Sequence, residues 1–209
     1  MPLPRIWLIT MPEDPRGPVE PIESALAGLP PGVAGVQLRA KEADDRTVVE
    51  WGRALRTLTR RLGSPLVVNR RPDLAAVIGA DGVHLPESHL GVAAARSFSG
   101  SAWLVGVSCH HRDGLERAEA EGADFAFLSP VAEVPGKAPP LGIEGFERTI
   151  EGVGIPTFAL GGIQAEHVEP VIRGGAAGIA LRRPAYAPDP AARVAEYARE
   201  LDKSATNDA

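Results

Sequence analysis

The chain has 209 residues, 44% of them hydrophobic and 23% charged, enough for one sizeable core and within the range of a single-domain barrel. A formal net charge of -5 and a pI near 5.6 argue against a surface built to hold nucleic-acid phosphates or an anionic membrane, which leaves small-molecule chemistry. The one cysteine, Cys109, can form no internal disulfide, no apolar run approaches the ~20 residues of a membrane span, and no basic-then-apolar leader opens the chain. The expectation is a cytoplasmic protein with no nucleic-acid and no membrane partner.

In chain order, short apolar runs alternate with helix-like stretches, which predicts a parallel sheet of βα units. The runs fall at 5–10, 34–39, 66–69, 82–85, 104–109, 125–130, 157–160 and 178–181. Between the second and third, Trp51, Leu55, Leu58 and Leu62 recur at steps of four and three, predicting an amphipathic helix over 45–62. Val194, Tyr197, Ala198 and Leu201 predict the same for the last helix. Eight strand–helix pairs with no break in composition favour an α/β single-domain (β/α)8 TIM barrel over an open doubly wound sheet. The barrel should fill residues 1–203 and leave 204–209 as a frayed polar tail. Two stretches rich in Pro and Gly, "MPEDPRGPVEP" after the first run and "EVPGKAPPLG" after the sixth, read as loops at the end where barrel chemistry takes place.

Strand alternation then sorts the side chains. Gln37 and Arg39 share one face of the second run while Val36 and Leu38 share the other, and the apolar pair should pack against helices. The same alternation turns Asn69, His84, Gly106, Ser108 and His110 inward, and Val68, Val83, Val107 and Cys109 outward. Each inward polar group lies at or near the carboxyl end of its strand, where barrel enzymes assemble their sites. Any one of them could serve only to cap the barrel mouth, but together they leave hydrogen bonds unmade unless a polar ligand takes them up. Gly161-Gly162 after the seventh run and Gly174-Gly175 before the eighth offer bare amides where this architecture usually cradles phosphate. Cys109, sent to the helix-facing side, reads as inert rather than as a thiolate nucleophile. His167 reads as a surface residue of a helix, and His111 either serves the site or starts the next turn.

The motifs "VQLRAK" at 36–41, "VVN" at 67–69, "GADGVHL" at 79–85, "GVSCH" at 106–110, "EGADFAFLSPV" at 121–131, "PPLG" at 139–142 and "ALGGI" at 159–163 carry a resemblance. The chain resembles thiamine phosphate synthase and its TenI-like relatives over nearly its whole length. The resemblance implies a (β/α)8 barrel that holds a thiazole phosphate in thiamine biosynthesis, with a homodimer as the usual assembly. Gln37, Arg39, Lys41, Asn69, His84, Ser108, His110, Lys137 and Gly162 match the family's substrate-facing positions. Backbone around Gly161, Gly162, Leu181 and Arg182 would hold the phosphate, and Arg183, where the family usually has Ser, would add charge there.

The departures from the family pattern concentrate on one task. In the synthase pattern the strand-end Asn is followed by an Asp that helps bind Mg²⁺ carrying the substrate pyrophosphate, and here that place is Arg70. A second metal-binding Asp would follow four residues after Leu85, where this chain has His89. Two hydroxyl residues usually precede the loop lysine, whereas Val134 and Gly136 precede Lys137. An arginine offers Mg²⁺ no oxygen and repels it, so no metal or other cofactor is expected, Mg²⁺ being implied only by the synthase reading. The leading expectation is therefore a metal-independent thiazole tautomerase in which His84, His89 or His110 shuttles the proton near neutral pH. Against it, the tautomerase pattern places its catalytic His where this chain has Pro130. The alternatives are a thiamine phosphate synthase with an atypical metal site, a non-catalytic binding or regulatory protein, and another phosphate-binding barrel enzyme. Arg70 is expected either to pair with the ligand's carboxylate or phosphate in place of the ion, or to face solvent at a helix start.

Overall fold

A computed structural model describes residues 2–88, 91–98 and 102–206. Its strands are β1 (Ile6–Ile9), β2 (Ala34–Leu38), β3 (Leu66–Asn69), β4 (Gly82–Leu85), β5 (Leu104–Cys109), β6 (Phe125–Leu128), β7 (Thr157–Leu160) and β8 (Gly178–Leu181). They close in sequence order, all neighbours parallel, with β8 returning to β1. The helices between and after them are α1 (Glu20–Ala27), α2 (Asp45–Arg61), α3 (Pro72–Ile78), α4 (Val92–Arg96), α5 (Arg112–Ala120), α6 (Gly142–Ile150), α7 (Ala165–Arg173) and α8 (Pro190–Thr206). A short 3₁₀ turn, Arg183–Tyr186, precedes α8. The fold is the single-domain (β/α)8 barrel that the alternating pattern predicts.

The predicted runs at 5–10, 34–39 and 125–130 overrun their strands by one or two residues at an end. At the first two, a side chain takes over from the ladder: Thr10 Oγ1 accepts from Arg39 N at 2.8 Å and donates to Arg39 O at 3.2 Å. The expected tail also shortens, because α8 runs on to Thr206 and Ser204, 5% exposed, donates to the Glu200 carbonyl at 2.9 Å. Residues 207–209 lie outside the described residues.

Alternation packs the barrel in two apolar layers. Val36, Leu38, Val68, Val83, Val107 and Cys109 belong to the outer layer between sheet and helices. The inner layer is Trp7, Ile9, Val67, Phe125, Phe127, Phe158 and Ala180, with Trp7 stacked on Phe125 at 4.8 Å. Small residues make room for these rings. A Cβ on Gly106 would fall 2.3 Å from the Phe125 ring, and one on Gly35 would fall 2.7 Å from Trp7.

The tripeptide Gly-Ala-Asp occurs before β4 and again before β6, and both copies do the same structural job. Asp81 Oδ2 accepts from Leu66 N at 2.8 Å while Arg56 grips both carboxylate oxygens at 2.6 and 2.8 Å. Asp124 Oδ2 accepts from Val105 N at 2.7 Å and from Arg96 at 3.1 Å. Each Asp fastens the amino end of a strand to the preceding one, at the end of the barrel away from the polar inward groups. Contacts at that end serve stability, whereas chemistry belongs to the other.

Candidate functional site

The carboxyl ends of the strands open into one cavity of about 1270 Å³. β2 and the residues after it supply Gln37, Arg39 and Lys41; β3, β4 and β5 supply Asn69, His84 and Ser108, with His110 just past β5. Lys137 arrives from the loop after β6, Gly161 and Gly162 follow β7, and Leu181 at the end of β8 closes the ring with Arg182 and Arg183 just after it. The strand-phase reading therefore gathers nearly all its candidates around one space. Pro130 lines it too, after a cis Ser129–Pro130 bond.

The floor is uncharged. Gln37, 2% exposed, donates Nε2 to Asn69 Oδ1 at 3.4 Å. His84 is 1% exposed, lies 4.3 Å from the Phe127 ring, and neither of its ring nitrogens has a protein partner among the described residues. Burial, helped by the Arg39 charge, pushes its pKa down to about 3. This corrects the expectation of a shuttle poised near neutral pH. His84 is a neutral imidazole, one nitrogen a donor and the other an acceptor, that a ligand in the cavity can satisfy.

His110 is placed differently. Its Nδ1 sits 2.7 Å from the Ser129 carbonyl oxygen, which can only accept, so Nδ1 carries the hydrogen and Nε2 of the neutral ring is left basic. His89 lies outside the described residues. His111 stands at the N-cap position of α5, without a side-chain cap bond, and also lines the cavity. His167 has a structural task, its Nδ1 accepting from Gln164 N at 3.1 Å at the start of α7. Cys109 is fully buried in the outer layer, and burial pushes its thiol up to about 12, in keeping with the inert reading.

Around the rim the charge is cationic. Burial and the Arg182 charge lower the pKa of Arg39, and Arg39 above all lowers that of Lys41, with Arg70 and Lys137 adding to it. Arg70 itself is exposed and is not among the side chains lining the cavity, as its solvent-facing alternative has it. Its backbone is left-handed, φ 69°, the only such non-glycine among the described residues, and its N–H donates to His84 O at 3.0 Å. Arg182 is paired with Glu13 from the loop after β1.

The Gly161–Gly162 pair takes left-handed φ angles of 94° and 69°, and a Cβ on Gly162 would fall 2.7 Å from the Ala132 and Glu133 backbone. Loop packing alone thus demands glycine there, besides any phosphate. Gly174 and Gly175 correct the second half of the cradle: they turn the chain from α7 into the amino end of β8 and do not line the cavity. The strand-phase reading missed Glu87, Gln164, Arg193 and Tyr197. Arg193 projects from α8, donating to Gln164 Oε1 at 3.0 Å and lying 5.2 Å over the Tyr197 ring. Arg193 and Tyr197 lie on a helix and Glu87 and Gln164 in loops, so none carries a strand-phase signal and only the geometry finds them.

Residues 6–185 match the family described as thiamine monophosphate synthase, TMP-TENI. The chain belongs to this family. It is 47% identical over 176 residues to a Geobacter sulfurreducens protein named "Putative thiamine-phosphate synthase", covering 82% of this chain and 81% of that one. With the thiamine-phosphate synthase of Chloroflexus aurantiacus it shares 38% identity over 183 residues, 86% of this chain and 83% of the relative. Among solved structures, thiamine phosphate pyrophosphorylase from Pyrococcus furiosus superposes with a TM-score of 0.85 at 30% identity, over 96% of each chain.

The Mg²⁺ implied by the synthase pattern does not suit the residues of this thiamine monophosphate synthase family member. Among the described residues no three His, Cys, Asp or Glu side chains gather to hold a metal ion. The carboxylate lining the cavity, Glu87, is engaged by Arg117 at 3.0 Å, and the remaining charged wall is Arg and Lys. No helix among the described residues is long and apolar enough to cross a membrane.

Proposed function

We propose that the cavity binds a thiazole phosphate and works as a transferase site of the thiamine phosphate synthase type. The reaction joins that thiazole to a pyrimidine delivered as its pyrophosphate ester and releases pyrophosphate. One observation carries the reading: an uncharged hydrogen-bonding floor beneath a rim of cations, Arg39 and Lys41 after β2, Lys137 after β6, and Arg182 and Arg183 after β8. The floor suits a neutral heterocycle and the rim suits phosphate groups on both reactants. The named relatives support the transferase over the isomerase.

Gln37, Asn69 and Ser108 orient the ring, and neutral His84 completes its hydrogen bonds at depth. The rim cations stabilise the negative charge that builds on the departing group, a task for preorganised charges. No step runs through a metal. A thiazole tautomerase is the second reading, favoured by the basic Nε2 that the Ser129 carbonyl leaves on His110.

The purified protein, given pyrimidine pyrophosphate and thiazole phosphate, should release pyrophosphate only when both are present. Absence of release together with isomerisation of a carboxythiazole phosphate would replace this reading with the tautomerase. Binding of thiazole phosphate with neither reaction would make the protein a non-catalytic binder.

A further inference from the structure

Three cations, Arg39, Lys41 and Lys137, line one side of the cavity mouth and a fourth, Arg70, flanks them, with little carboxylate charge to offset theirs. Arg39 and Lys41 follow β2, Arg70 follows the adjacent β3, and Lys137 comes over from the loop after β6. The Arg39 backbone is clamped at both N and O by the Thr10 hydroxyl, at 2.8 and 3.2 Å, so its guanidinium starts from a fixed point. Arg70 is held in its left-handed turn by the bond to His84 O. Among the described residues neither Arg70 nor Lys137 forms a side-chain hydrogen bond or ion pair, whereas Arg71, next in the chain, is gripped by Asp45 and Asp73. Glu13, the acidic group acting on Arg39, is committed to Arg182, and Glu42 is the least of the charges acting on Lys41.

Arg39 and Lys41 are each disfavoured as cations, Arg39 by burial and by Arg182 and Arg70, Lys41 by Arg39, by burial and by Arg70 and Lys137. Such crowding is retained at a cost in stability, and a multiply charged anion removes that cost on binding. Beneath them the unpartnered, buried His84 points to a ligand in the same cavity.

We propose that this side of the mouth is a metal-independent subsite for a diphosphate ester, in which Arg39, Lys41 and Lys137 hold the group directly and Arg70 adds a flanking charge. The guanidinium fork and the ammonium groups do what an ion held by carboxylates would otherwise do. The proposal rests on the transferase reading for the identity of the ester. Its chemistry, a diphosphate held without a metal, is testable apart from turnover.

Calorimetry of the full chain with inorganic pyrophosphate, in EDTA and in excess Mg²⁺, provides the test, with inorganic phosphate as a second probe. Pyrophosphate should bind in EDTA at least as tightly as with Mg²⁺, since the ion would mask the charges the cations seek. Lys137→Ala should weaken pyrophosphate by about tenfold, the effect of one charge-assisted contact, and Arg70→Ala, which removes a flanking charge, by a smaller factor of about three to five. Arg71→Ala should leave it within about twofold, its guanidinium being already paired. Phosphate held at the Gly161–Gly162 side should be indifferent to Arg70→Ala. Arg70→Asp suits the left-handed backbone at least as well as arginine, and it should lower affinity in EDTA and let Mg²⁺ restore it. Thermal melts check that each variant folds, and Lys137, on an exposed loop, is the variant least able to disturb the barrel. Binding that appears only with Mg²⁺, no binding in EDTA, or equal losses for Arg70, Lys137 and Arg71 would overturn the subsite. Pyrophosphate binding in EDTA without any turnover would sustain the subsite while ending the transferase reading.

Discussion

His110 Nδ1 and the Ser129 carbonyl oxygen are 2.7 Å apart across neighbouring strands, and this contact fixes which ring nitrogen can take a proton. If the protein moves protons on a thiazole, Nε2 of His110 is the base. His110→Ala should then lower isomerisation by about 100-fold, whereas His167→Ala, at a helix start, should change it by less than about twofold. Progress curves with a carboxythiazole phosphate decide this, and equal damage from both substitutions would remove His110 from the role.

His84 makes the fold sensitive to acid. The unfolded chain binds a proton on this ring near its ordinary value of 6.5, while the folded protein refuses it until about 3. Over that window the unfolded state holds more protons, so stability falls as pH falls, by up to about 1.4 kcal/mol per pH unit. Urea unfolding of the native protein and of His84→Gln across this window measures it. The variant should lose less stability on acidification, and parallel loss in both would show that His84 is not the linked group.

The strand cores and their inward faces were legible because a half-buried strand repeats every two residues, and Gln37, Asn69, His84 and Ser108 obey that period. The protonation of His84 was not legible. It follows from how deep the ring sits on Phe127, itself set by Trp7, Phe125 and Phe158 from distant parts of the chain. Gly174–Gly175 misled because a glycine pair marks a turn at either end of a barrel, and only topology says which end. Arg193 escaped notice because its reach into the cavity depends on where α8 starts after the 3₁₀ turn.

Asp81 should matter for stability and not for the cavity. Removing its carboxylate strands Arg56 and the Leu66 amide, both little exposed, at a cost of about 2–3 kcal/mol. Asp81→Ala should lower the urea midpoint accordingly while leaving ligand affinity of the folded fraction unchanged. A matched fall in affinity would mean that the two ends of the barrel are coupled.

Cys109 should resist thiol reagents in the native state. Its sulfur is buried and its thiol pushed up to about 12, so thiolate is scarce at neutral pH. Labelling kinetics in buffer and in denaturant separate the cases: fast native labelling would place Cys109 on the wrong face of β5.

The aromatic layer of Trp7, Phe125, Phe127 and Phe158 closes the barrel below His84, so the cavity is a well that ends there and opens at the carboxyl ends of the strands. Traffic through such a well has a compulsory order. A molecule seated on the Gln37–Asn69–His84 floor has to arrive before anything that occupies the rim, and it can leave only after the rim clears. For two reactants sharing the space, the shape alone imposes sequential loading, and a rim occupied too early becomes substrate inhibition, visible as a downturn in rate at high concentration of the later partner.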